Sequence, residues 1–181
     1  MTHDEAYELM DCLGQLTHDP VAWVYFAFDW DNDPELKGQA PQPWQIAQLE
    51  KIAKGLETPD TVIRQAVASG HGIGKSSLVA WIILWAISTH PDTRGVVTAN
   101  TEAQLRTKTW AELAKWHRKF IGKELFAYTA TAIFSIEAEH ERTWRIDAIP
   151  WSVTNTEAFA GLHNQGKRIL IVFDEASAVD D

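Results

Sequence analysis

Residues 62–77 read VIRQAVASGHGIGKSS, and few orders of residue type constrain a chain so tightly. An apolar run (Val62, Ile63, Ala66, Val67, Ala68) leads into Ser69-Gly70-His71-Gly72-Ile73-Gly74-Lys75-Ser76. A long apolar helix pattern follows at once, from Ser77 to Ile87. The order predicts strand, glycine-rich turn and helix, the setting in which such a string cradles phosphate. Three glycines let backbone N–H groups curl around an anion without Cβ clashes. The helix opening near Gly74 adds its positive end. Lys75 is placed to reach the β- and γ-phosphates, and Ser76 to offer its hydroxyl to Mg²⁺. The nucleotide-contacting stretch is therefore Ser69 to Ser77, with Ser69 standing where the usual pattern G-x-x-x-x-G-K-[ST] has glycine. The alternative is a strand-to-helix turn with no ligand.

A second motif lies about a hundred residues on, the run Arg168-Ile169-Leu170-Ile171-Val172-Phe173-Asp174-Glu175. Five apolar residues in a row predict a central parallel strand buried on both faces. In such sheets ligands sit outside the carboxyl ends of the strands, which sets Asp174 beside the phosphate loop. Asp174 would hold Mg²⁺ with Ser76, and Glu175 would orient and deprotonate an attacking water. Lys75 and Glu175 are the candidate catalytic residues. Together the two motifs predict an α/β P-loop NTPase of the RecA/ASCE-like kind, a mostly parallel sheet flanked by helices, with ATP and Mg²⁺ as ligands.

Composition sets modest bounds. With 181 residues, 45% of them apolar and 23% charged, the chain fits one soluble domain of ordinary size. A net charge of −9 argues against nucleic-acid binding by bulk electrostatics, though not against local basic patches. The single Cys12 excludes an internal disulfide framework and a Cys-rich metal site, which suits a reducing cytosol. The most apolar segment, Leu78 to Ile87, is too short to span a bilayer.

Residues 1–60 read as a helical N-terminal segment and 61–181 as the phosphate-binding core. Thr2-His3-Asp4-Glu5 fits a capping box before a helix that reaches Leu16. Asp19-Pro20 opens a run, Val21 to Phe28, that leans towards helix. A loop rich in Pro and Gly follows, then a helix from about Trp44 to Leu56. Gln45 at its start can read both edges of adenine, because its amide offers a donor and an acceptor; the alternative is a solvated surface residue. Gly95 to Ala99 predicts a buried strand, and Asn100-Thr101 caps a helix reaching Phe120. Arg106, Lys108, Lys115, Arg118 and Lys119 on that helix either track DNA phosphates or form its solvated side. Alternation between Ala132 and Val153 predicts a hairpin or two strands, followed by a polar loop holding His163, Asn164 and Gln165.

The order of these motifs resembles the ATPase domain of phage large terminase subunits, the motors that package DNA into preformed capsids. Asp19-Pro20 with Phe26-Ala27-Phe28-Asp29-Trp30, then Pro43-Trp44-Gln45, resembles that family's N-terminal segment and adenine motif. Ser69 to Ser76 corresponds to its P-loop, and Thr98-Ala99-Asn100-Thr101 with Trp110 to the segment after its second strand. Phe159-Ala160-Gly161-Leu162-His163 and Asp174-Glu175-Ala176 resemble the stretch running into Walker B. The resemblance implies ATP hydrolysis coupled to translocation of double-stranded DNA. It also implies a ring of subunits on the capsid portal, a small terminase partner, and residence in the cytoplasm of a bacterial host.

Two departures accompany it. Many terminases carry an arginine where this chain has His71, whose imidazole is mostly neutral near pH 7. The chain also stops at Asp181, so it reads as truncated after the Walker B strand, with no carboxylate cluster for a nuclease site. P-loop and Walker B strands side by side, with later strands missing, predict an exposed edge, an apolar face and a tendency to associate. An arginine over the γ-phosphate would come from Arg94, Arg106, Arg142 or Arg145, in cis or from a neighbouring subunit. Two further readings fit the same motifs: the first RecA-like domain of a superfamily-2 helicase, and a non-catalytic nucleotide-binding fragment.

Overall fold

The computed structural model describes residues 1–58, 61–68, 72–152, 162 and 165–174. Its N-terminal helices start where local chemistry dictates. Thr2 and Glu5 form the expected reciprocal cap and open α1, His3–Gln15. Asp19 accepts from the Ala22 N–H at 2.9 Å, with Pro20 at the first position of α2, Pro20–Ala27. The aromatic run is thus helical, and Trp23, Val24 and Ala27 face the core. The third helix, α3, spans Pro43–Leu56.

At the centre lies α4, Lys75–Thr89, buried almost all round from Leu78 onward. Its outer turns are packed by tryptophans whose indole N–H groups all need acceptors in this dry setting. Trp85 donates to the Leu16 carbonyl, Trp23 to Ser88 Oγ and Trp144 to the Ile87 carbonyl, at 2.7–3.1 Å. Phe28, Trp30, Trp81 and Trp116 meet edge-on or tilted at centroid distances of 4.8–6.1 Å, joining α4 to the helix α6, Ala111–Lys119. Each such pair contributes about 0.5–1.5 kcal/mol beyond area burial.

The five strands are β1 (Arg94–Ala99), β2 (Phe126–Tyr128), β3 (Ala132–Ser135), β4 (Arg145–Ala148) and β5 (Ile169–Asp174), in the order β2-β3-β4-β1-β5. β1 pairs in parallel with β4 and β5, whereas β3 runs antiparallel to β4 and to β2. The sheet is therefore mixed rather than mostly parallel. The short connection between β2 and β3 permits only an antiparallel return, and β2 itself has no clear period in the sequence.

Three further expectations change. Residues 62–68 form no strand: Val62 is 80% exposed, and Gln65 is held by the carbonyl and side chain of Gln48 on α3. That segment lies along α3 and takes no place in the sheet. β5 is not buried on both faces, since Ile169, Ile171 and Phe173 remain 42%, 44% and 45% exposed. It has β1 as its one neighbour among the described strands, which agrees instead with the exposed edge and apolar face also expected from the sequence. Finally, the helix after β1 is not uniform. Thr101 caps a single turn, α5 (Glu102–Gln104), as expected, but Leu105–Trp110 is π-helical before α6 begins.

The amino end of the sheet is tied down. Arg168, just before β5, donates to the Ala86 carbonyl, Thr89 Oγ1 and both oxygens of Thr17, and stacks over Trp85 at 4.2 Å. Burial pulls its guanidinium down to about 10. Nearby, Asp92 accepts from Thr143 Oγ1, pairs with His140 Nδ1 at 2.7 Å and faces Lys167 Nζ at 3.4 Å.

Candidate functional site

Gly72 and Gly74 both take left-handed φ, +78° and +90°, which L side chains rarely adopt. Gly74 caps α4, and its carbonyl accepts from the Leu78 N–H at 3.2 Å and from Gln45 Nε2 at 2.9 Å. A Cβ at residue 74 would stand 2.9 Å from that same nitrogen. Lys75 is the first residue of α4, so its ammonium and the helix's exposed N–H groups share one region.

Gln45 is 3% exposed and no surface residue. Both halves of its amide are committed: Nε2 to Gly74, and Oε1 to the Gln42 N–H at 2.7 Å. The group the sequence offers to an adenine edge braces the glycine turn instead.

In front of this turn lies a cavity of about 430 Å³. Among the described residues it is lined by Gly72, Gly74, Lys75, Ser76, Ser77, Lys108 and Glu112. Ile73 is 40% exposed. Ser77 turns its hydroxyl to Glu112 Oε1 at 2.9 Å, and the Trp116 indole donates to the same oxygen at 2.8 Å. The Glu112 carboxylate thereby tethers the first turn of α4 to α6.

Asp174 closes β5, opposite Ala99 at the carboxyl end of β1. Its Oδ2 accepts from Thr109 Oγ1 at 2.5 Å. Consecutive residues of the π-helical turn thus look two ways, Lys108 into the cavity and Thr109 to Asp174. The run 108–112 bridges the glycine turn and the acid end of β5, which share one end of the sheet. Turns of this wide helical type recur at functional sites because they reset which side chains face a neighbour. Hard oxygen donors fit Mg²⁺, and the Ser76 hydroxyl and Asp174 carboxylate supply that chemistry at this end of the fold.

Ser69, Gly70, His71 and Glu175 lie outside the described residues, as do His163 and Asn164 of the polar loop. Lys108, Thr109 and Glu112 are additions that sequence reasoning missed. Their signal is slight: Lys108 is one of several basic residues on the helix after β1, and nothing marks a π-helical turn locally.

The arginines sort differently. Arg94 and Arg145 open β1 and β4, and Arg94 pairs in register with Ile169, at the far end from Asp174. Five strand steps of about 3.3 Å separate those ends by roughly 17 Å. Arg94 also reaches the Arg142 carbonyl at 3.4 Å, and Arg145 binds Asp147 at 2.7 Å. None of these three is among the described residues that line the cavity. Arg106 bonds the Ala130 carbonyl and lies near Glu102. The basic helix is equally committed at Lys119, whose ammonium lies 2.9 Å from Asp33 and 3.1 Å from Glu35.

No helix among the described residues is long and apolar enough to cross a membrane. Among those residues no cluster of three or more His, Cys, Asp or Glu could hold a metal ion.

No family model matches the chain, and no solved structure matches it. A curated relative does: the chain is 30% identical over 126 residues to the "Probable terminase, large subunit" of Enterobacteria phage P7. The match covers 64% of this chain and 24% of that protein, so the chain corresponds to about a quarter of the relative's length. The resemblance drawn from the motifs to a large terminase subunit is borne out.

Proposed function

We propose that this chain is the ATP-binding and hydrolysing part of a phage DNA-packaging motor. One observation carries the reading: residues 108–112 bridge the Lys75 end of α4 to Asp174, beside a cavity of about 430 Å³. That volume falls in the range of small-ligand sites, roughly 300–1,000 Å³.

The chemistry would be in-line displacement by water at the γ-phosphate, breaking the bond to the β–γ bridging oxygen and yielding ADP and phosphate. Lys75 and the amino end of α4 would neutralise charge on the β- and γ-phosphates. Ser76 and Asp174 would hold Mg²⁺, which when bound supplies further charge neutralisation. Glu175, next in sequence to Asp174, would orient the water and accept its proton. Gln45 keeps Gly74 in its left-handed turn, so the loop stays open to phosphate. Double-stranded DNA, a small terminase subunit, the capsid portal and a ring of like subunits are the partners this reading implies, in a bacterial host's cytoplasm. The likeness to a terminase favours a motor over a helicase.

The test is equilibrium binding of a fluorescent ATP analogue with Mg²⁺, together with phosphate release, for the full chain and for Lys75→Ala. The wild type is expected to bind and turn over, and the variant to lose both. Binding that survives Lys75→Ala unchanged would overturn the assignment.

A further inference from the structure

We propose that Lys108 is a second, cis-acting phosphate ligand that reads the terminal phosphate of the bound nucleotide; this rests on the nucleotide-binding reading above and deepens it. Three observations converge on the residue. Lys108 lines the same cavity as Gly72, Gly74, Lys75 and Ser76, but is carried by the π-helical turn rather than by α4 or the glycine turn. Its neighbour Thr109 is fixed on Asp174, so the backbone carrying Lys108 is registered against the acid end of β5. Third, the described ion pairs engage Arg106, Lys119, Arg145 and Lys167 but leave Lys108 without a carboxylate partner.

Glu112 also lines the cavity, and a bare carboxylate there would repel phosphate. Its Oε1 takes two donors, Ser77 Oγ and Trp116 Nε1, which spread its charge into the helix interface. Lys75 and Lys108 then supply two positive charges against that one carboxylate among the described lining residues. Lys75 starts α4 beneath the turn. A second cation, carried by a different element, is available to the end of a triphosphate that a diphosphate lacks. Arg94 and Arg145 open their strands at the end away from Asp174, whereas Lys108 lines the cavity.

The experiment measures Mg²⁺-dependent affinity for a non-hydrolysable ATP analogue and for ADP. It uses the full chain, Lys108→Ala, Lys108→Arg and Lys75→Ala, each checked for an unchanged thermal melt. Losing a charge-assisted hydrogen bond is expected to weaken the triphosphate analogue by roughly ten- to a hundredfold in Lys108→Ala, with ADP within about twofold. Lys108→Arg should recover part of the loss, and Lys75→Ala should weaken both ligands. If wild type binds both but Lys108→Ala leaves the triphosphate-to-diphosphate ratio unchanged, the inference falls while the nucleotide reading stands. An unchanged ratio accompanied by loss of DNA retention would assign Lys108 to DNA instead. If the wild type binds neither nucleotide, both readings fall.

Discussion

The Thr109 hydroxyl donates to Asp174 Oδ2 at 2.5 Å, across sixty-five residues of chain. A hydroxyl on a carboxylate fixes its direction, as the proposed metal-binding role requires. Thr109→Val keeps the shape and removes the donor. The Mg²⁺ concentration for half-maximal nucleotide binding should rise about tenfold, and Thr109→Ser should restore it. A magnesium titration at saturating nucleotide reads the difference, and identical midpoints for valine and threonine would detach Thr109 from the metal site.

Gln45 separates two roles by base specificity. As a brace on Gly74 it acts on the glycine turn, so under the proposed function Gln45→Ala should weaken ATP and GTP binding by the same factor. It should also cost about 1–3 kcal/mol of stability, because the Gln42 N–H loses its partner and the Gly74 carbonyl loses one of its two donors. An adenine reader would lose preference for ATP over GTP. Competition binding with both nucleotides decides between them.

His140 and Asp92 make stability depend on pH. The hydrogen bond to Asp92 raises the imidazole above its ordinary range, against a cost of burial. Burial works to raise Asp92, yet the hydrogen bonds from His140 and Thr143, with Lys167 beside them, prevail and hold it low. The histidine's contribution is complete below its unfolded value of about 6.5 and is lost as pH rises through its raised folded value. The aspartate's contribution is complete above about 3.9 and is lost as pH falls through its depressed value. Urea unfolding should show stability falling as pH rises above about 6.5, and His140→Gln should flatten that fall.

The open face of β5 predicts self-association. Ile169, Ile171 and Phe173 point the same way along one strand and stay more than two-fifths exposed. Contiguous apolar surface of this kind drives contact between copies. Sedimentation velocity over a concentration series should show reversible association of the chain, and Ile171→Thr should reduce it without changing the melt.

Much of this was legible because local rules were decisive. Thr2, Asp19 and Thr101 each cap a helix as their side chains require, and the apolar run from Leu78 could only be a buried helix. The acid at the end of an apolar strand was equally legible, since Asp174 does close β5. Illegible were features set by long-range partners. Val62–Ala68 has strand composition, but Gln65 finds Gln48 and the segment stays with α3. β5 looked central by its apolar run, yet what covers a strand is decided by its neighbours. The π-helical turn carries no local signature, so the positions of Lys108 and Thr109 emerge only from the packed structure.

Arg168 and Asp174 stand at opposite ends of the same short strand. The guanidinium is gripped by Thr17, Ala86, Thr89 and the face of Trp85, while the carboxylate end is held by the Thr109 hydroxyl. β5 is therefore held at both ends, and the six pairs it makes with β1 fix its register between them. A slip of one residue would break both anchors at once and turn the strand's outer face inward.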